Sequence, residues 1–201
     1  MLPSFNLANR VTLGRLVIAF VSSLILVLIA EGSCLDNHRT LAAWIGLGFF
    51  TLATVTDALD GYIARRDNTV TAFGRIADPF VDKIIVCGSL VLFLGFAETT
   101  YYLHPWMVAL VLFREFLVTG IRGYMESKGI EFGAEMPGKI KMVVQSILVG
   151  FLFGVVAFAP DIPSWVNICT HICIWATVGL TLYSGALYVA QASKSFSAQD
   201  I

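Results

Sequence analysis

Residues 56–82 read TDALDGYIARRDNTVTAFGRIADPFVD. Asp57, Asp60, Gly61 and Ala64 fall at i, i+3, i+4 and i+7, which is one face of a helix. Gly74, Asp78 and Asp82 fall at i, i+4 and i+8, again one face. A short polar loop with Arg65, Arg66, Asp67, Asn68, Thr69 and Thr71 joins the two. If the helices run antiparallel, four carboxylates converge at helix ends that are otherwise apolar. Unbalanced, they would repel one another and raise each other's pKa. At mid-bilayer each would cost about 2.5–3.5 kcal/mol. Divalent cations resolve this. The donors are all oxygens, with no His or Cys in the stretch, which favours Mg²⁺ or Mn²⁺ over zinc. Four negative charges balance two such ions, and a metal pair suits phosphoryl transfer. The bland alternative is a polar cap on two membrane helices joined by a charged loop. A solvated cap has no need of Gly and Ala at fixed offsets on the acidic stripe.

The rest of the chain supplies the membrane. Its 201 residues are 57% hydrophobic, with mean hydropathy +0.80, and 13% are charged, about half the usual share near 25%. This is the composition of an all-α integral membrane protein, expected to form a single domain over 1–201. A net charge of −1 gives no reason to expect a nucleic-acid partner. Cys34, Cys87, Cys169 and Cys173 are too scattered for a disulfide framework. Cys169 and Cys173 share a helix face from which His171 points away, so ordinary packing outweighs a metal cluster.

Six transmembrane helices are expected, roughly 11–31, 40–62, 77–97, 103–124, 139–160 and 164–191, each near the 20 residues that span about 30 Å of hydrocarbon. Residues 1–9 would form a short interfacial helix. Pro79 is expected in the first turn of the third helix, where a missing N–H does least harm. The tail from Lys194 is polar. The first apolar run, behind Arg10 and Arg15, is long enough to span and is read as a helix rather than a cleaved leader. With both termini inside, twelve of the 13 Lys and Arg residues lie on inner segments and Arg39 alone lies outside. The acidic centre therefore faces the cytoplasm or an organelle's matrix.

A second constellation lies in LFREFLVTGIRGYMESKG (112–129) and PGKIKMVVQ (137–145). Arg114, Arg122, Lys139 and Lys141 would form a basic pocket beside the metals. Arginine forks and lysine point charges both recognise phosphate oxygens. The alternatives are an intramembrane Arg114–Glu115 ion pair and lysines that merely anchor a helix at the interface.

Read as D-x2-D-G-x2-A-R-x8-G-x3-D-x3-D, the opening stretch resembles the signature of the CDP-alcohol phosphotransferase family. All eight fixed positions match: Asp57, Asp60, Gly61, Ala64, Arg65, Gly74, Asp78 and Asp82. REFLVTGIR, PGKIKMVVQ and the opening NLANRVTLGRL resemble the branch that makes phosphatidylglycerophosphate. The lead-in GAEMPGK, with Glu135 and Pro137, departs from the serine- or alanine-rich form usual there. The resemblance covers essentially the full chain and six helices.

It implies transfer of the phosphatidyl group of CDP-diacylglycerol to sn-glycerol 3-phosphate, with release of CMP. Asp57, Asp60, Asp78 and Asp82 would hold two Mg²⁺ or Mn²⁺ ions, and Asp82 would also be the general base. Gly61, Ala64 and Gly74 would let the nucleotide approach the helix backbones, although small residues also serve helix packing. Arg65 would touch the donor phosphates and Thr71 would read the cytosine. Asn9, Thr12 and Arg15, in an NxxTxxR pattern, would contact the donor headgroup, with capping and anchoring as the alternative. Arg114, Arg122, Lys139 and Lys141 would take the acceptor phosphate. Membrane lipids and a second copy of the chain are the implied partners, in a bacterial inner membrane. The rival readings are a same-family transferase for inositol phosphate, serine or phosphatidylglycerol; a divalent-cation transporter or sensor; and a non-catalytic scaffold.

Overall fold

The computed structural model describes residues 7–32, 38–66, 72–129 and 136–197, and the side chains of 14–32, 38–56, 80, 81, 83–129 and 136–193. The described residues are helical, with turns between and no strand. The helices are α1 (Leu7–Ala30), α2 (Arg39–Arg66), α3 (Ala72–Phe93), the single-turn α4 (Ala97–Thr100), α5 (Pro105–Ser127), α6 (Met136–Phe158) and α7 (Ser164–Ser197). Three stretches are long and apolar enough to cross a membrane: Arg39–Thr56, Met136–Phe158 and Ser164–Ser193. α1 and α3 carry shorter apolar runs, Gly14–Ala30 and Lys83–Phe93. The apolar run of α5 is interrupted by Arg114, Glu115 and Arg122.

In lipid, apolar side chains gain nothing by leaving their surroundings, so packing and buried hydrogen bonds hold the helices together. α2 shows the result. Ala42, Ala43, Phe50 and Ala53 are buried, whereas Leu41, Trp44, Ile45, Leu52 and Val55 are exposed. The small residues let α1 and α6 approach. Ser22 Oγ donates to the Gly46 carbonyl at 2.9 Å. A Cβ at Gly46 would lie 2.8 Å from Phe153 Cε1. Phe153 has no room to yield. It is fully buried in α6, edge-on to Phe93 with centroids 5.1 Å apart and 6.2 Å from Phe50. Gly46→Val is therefore expected to destabilise the fold by about 1–3 kcal/mol, read as a lower unfolding temperature in detergent. Gly48→Val is the control, since nothing lies within 4 Å of a Cβ there.

One end of the bundle is tied across helices. Arg39 at the start of α2 pairs with Glu98 of α4 at 2.8 Å. Thr40 Oγ1 donates to the carbonyl of Ala157 in α6 at 3.0 Å. Thr99 bonds the Phe93 carbonyl that closes α3. Trp44, Trp106, Trp165 and Trp175 are all exposed; Trp44 and Trp165 meet Phe158 near this end, and Trp106, at the start of α5, stands 6.4 Å from Trp175 of α7. Exposed indoles near helix ends suit a headgroup boundary. The site residues belong to the opposite end.

Several boundaries differ from the sequence expectation. α1 already runs through residues 7–9, so these continue the first long helix; residues 1–6 lie outside the described residues. α3 begins at Ala72, which sets Pro79 two turns inside it rather than in its first turn. Interior proline is tolerated in membrane helices because neighbouring groups re-satisfy the freed carbonyl. α3 also stops at Phe93, where a turn and α4 follow. α7 continues to Ser197, past the polar residues expected to end it.

Candidate active site

The acidic stretch lies where α2 ends and α3 begins. α2 is helical through Asp57 and Asp60 to Arg66, and α3 is helical from Ala72 through Asp78 and Asp82. The spacings i, i+3 and i, i+4 are thus realised on helical backbone, which puts each pair of aspartates on one face. At 1.5 Å rise per residue, Asp60 lies about 9 Å before the end of α2 and Asp78 about 9 Å after the start of α3. The side chains of these four residues lie outside the described residues, as do those of Asn9, Thr12, Gly61, Ala64, Arg65 and Gly74; Thr71 lies outside them entirely. α1 packs on both α2 and α3. Its Arg15 is 2% exposed, so this cation faces the bundle and not the lipid.

The basic constellation is resolved in detail. Arg114 and Glu115 on α5 meet Lys141 on α6. Glu115 Oε1 accepts from Arg114 Nη1 at 3.2 Å and also from Lys141 Nζ. Arg114 is 8% exposed and Lys141 3%. One carboxylate oxygen thus serves two buried cations. Arg122, two turns farther along α5, donates through Nη2 to the Tyr188 hydroxyl on α7 at 3.1 Å. The Tyr188 ring has Arg114 at 5.3 Å and Arg122 at 5.9 Å from its centroid. Among the described residues, three cations face a single carboxylate, a local excess of two positive charges.

The sequence places Lys139 and Lys141 together, but residues two apart on a helix do not face each other. Lys141 turns into the cluster and Lys139 is exposed. Gln145, one turn beyond Lys141, is buried too. Tyr188 carries no local motif that marks it as part of the cluster. It continues a line of polar residues on the apolar α7: Thr177, Thr181, Ser184 and Tyr188, at i, i+4, i+7 and i+11, all buried. That periodicity was the available signal.

Arg114 has further capacity. Its Nε and Nη2 are buried without a hydrogen-bond partner among the described residues. These two N–H groups form the side-on edge of the guanidinium, the edge that grips two oxygens of a phosphate at once. A buried donor with no partner costs about 1–3 kcal/mol, a cost that a bound anion would remove. The Cys169–Cys173 region has no such character. Cys169 and Cys173 are free, and His171 packs on the rings of Tyr101 and Tyr102 at 5.4 and 4.9 Å.

The family model for CDP-alcohol phosphatidyltransferase matches residues 5–183. The chain is 33% identical over 197 residues to a Bacillus subtilis protein named CDP-diacylglycerol–glycerol-3-phosphate 3-phosphatidyltransferase, covering 93% of this chain and 95% of that one. A Cereibacter sphaeroides protein of the same name is 36% identical over 119 residues, 58% of this chain and 52% of its own. A Mycobacterium tuberculosis protein named probable phosphatidylglycerophosphate synthase is 31% identical over 189 residues, 94% of this chain and 82% of its own. The matched stretch takes in both the acidic helix pair and the Arg114–Lys141 cluster, and the chain belongs to the CDP-alcohol phosphatidyltransferase family.

Proposed function

We propose that this chain transfers the phosphatidyl group of CDP-diacylglycerol to the free primary hydroxyl of sn-glycerol 3-phosphate, giving phosphatidylglycerophosphate and CMP. The observation that carries the acceptor is the buried side-on edge of Arg114, set in a cluster that, among the described residues, has two positive charges in excess. A phosphate dianion matches that excess, and in a site of low dielectric the match is worth far more than in water. The names of the relatives in Bacillus subtilis and Cereibacter sphaeroides agree with it.

The acceptor hydroxyl attacks the phosphorus that bears the diacylglycerol. Its proton passes to an Asp82 carboxylate oxygen, and the P–O bond to CMP breaks. Asp57, Asp60, Asp78 and Asp82 form an oxygen-only donor set on two helix faces, which fits hard divalent ions. Two Mg²⁺ or Mn²⁺ ions held there would neutralise the donor diphosphate as CMP departs. Arg65 binds the donor phosphates, Asn9, Thr12 and Arg15 hold the donor headgroup, and Thr71 reads the cytosine. Gly61, Ala64 and Gly74 leave room for the nucleotide. Arg114, Arg122 and Lys141 grip the acceptor phosphate, and exposed Lys139 draws it in.

The six long helices all span the bilayer of a bacterial cytoplasmic membrane, with the acidic end facing the cytoplasm and the indole-lined end outside. Two copies form a homodimer. The test is an acceptor screen with purified protein and CDP-diacylglycerol. CMP release is expected with glycerol 3-phosphate, lost on chelation and restored by Mg²⁺ or Mn²⁺. Release with serine or inositol phosphate alone would overturn the acceptor. Divalent-cation uptake into liposomes without CDP-lipid would favour the transporter reading.

A further inference from the structure

We infer that Tyr188 is a positioning residue for the acceptor phosphate: it sets the spacing and aim of the Arg114 and Arg122 guanidiniums. The inference rests on the functional reading above. Arg114 and Arg122 leave α5 two turns apart, about 12 Å along the axis. Both nevertheless lie within 6 Å of one ring centroid, at 5.3 and 5.9 Å. Two like charges brought together repel, and the negative face of an aromatic ring offsets that repulsion. The hydroxyl fixes the second arginine by accepting from Arg122 Nη2 at 3.1 Å.

The surroundings are cut to this stack. A Cβ at Gly185, three residues before Tyr188 on α7, would lie 3.3 Å from Arg114 Cγ. Gly138 on α6 lies beside the same stack: a Cβ there would make ordinary contact with the Tyr188 hydroxyl at 3.6 Å and with Arg114 Nη2 at 3.7 Å. Tyr188 itself is 2% exposed. With Glu115 holding Nη1 of Arg114, the ring constrains the guanidinium from a second side. The edge made by Nε and Nη2 is then held in one orientation before any ligand arrives. Preorganisation of this kind lowers the KM of the substrate that uses the edge and leaves the other substrate untouched.

Tyr188→Phe keeps the ring and removes the hydroxyl; Tyr188→Leu removes both. A hydrogen bond to a charged group corresponds to about 10-fold or more in affinity. The expected results are a KM for glycerol 3-phosphate raised about 10-fold in Tyr188→Phe and about 100-fold in Tyr188→Leu. The KM for CDP-diacylglycerol should stay at its wild-type value, and Tyr188→Phe should remain folded, with its unfolding temperature lowered by no more than the loss of one hydrogen bond allows. An unchanged glycerol 3-phosphate KM in Tyr188→Phe, or equal rises for both substrates, would refute the inference. If the wild-type protein does not use glycerol 3-phosphate, it is the functional reading that has failed. The role of Tyr188 fails only in variants of a wild type that does.

Discussion

Asp82→Asn is expected to lower the rate of CMP release by about 10³-fold or more while CDP-diacylglycerol still binds. General base catalysis alone contributes typically 10²–10⁴-fold. Asparagine keeps a carbonyl oxygen but cannot accept the hydroxyl proton. Asp57, Asp60 and Asp78 remain as oxygen donors on the same two helices, so the donor diphosphate retains most of its anchorage. Single-turnover CMP release, set beside equilibrium binding of CDP-diacylglycerol, separates the two effects. A residual rate within 10-fold of wild type would remove Asp82 from the role of base.

Arg114→Ala should raise the KM for glycerol 3-phosphate by about 100-fold, since it deletes the charge-assisted two-point edge offered to the phosphate. The fold should survive, because Glu115 keeps Lys141 as its partner. Donor KM should move by less than about threefold, given that the donor residues lie on α1, α2 and α3. Steady-state kinetics with each substrate varied in turn gives the answer. Equal losses for both substrates would count against a separate acceptor pocket.

Much of this molecule is visible in its letters, and the exceptions have physical causes. The acidic spacing, set by helix period alone, lies on unbroken helix at both ends of residues 67–71. Arg114 with Lys141 was also within reach, because charged residues in an apolar helix must face one another or a cavity. Pro79 departs from expectation because α3 begins at Ala72, and membrane helices tolerate an interior proline that soluble helices do not. Lys139 and Lys141 are close in sequence, but helix geometry parts residues two apart. Tyr188 lies 66 residues from its partner Arg122. No local pattern joins two helices so far apart in the chain; the polar line along α7 marks which side is buried and not what it meets.

The double grip of Glu115 on Arg114 and Lys141 has a consequence for redesign. Positions 114, 115 and 141 form one thermodynamic unit, so the costs of altering them do not add. Removing the acid strands two cations in a greasy interior, which costs more than removing either cation. A variant library that samples these sites singly would therefore misread lost solubility as lost selectivity. Exchanging the trio as a block is the route to a different alcohol.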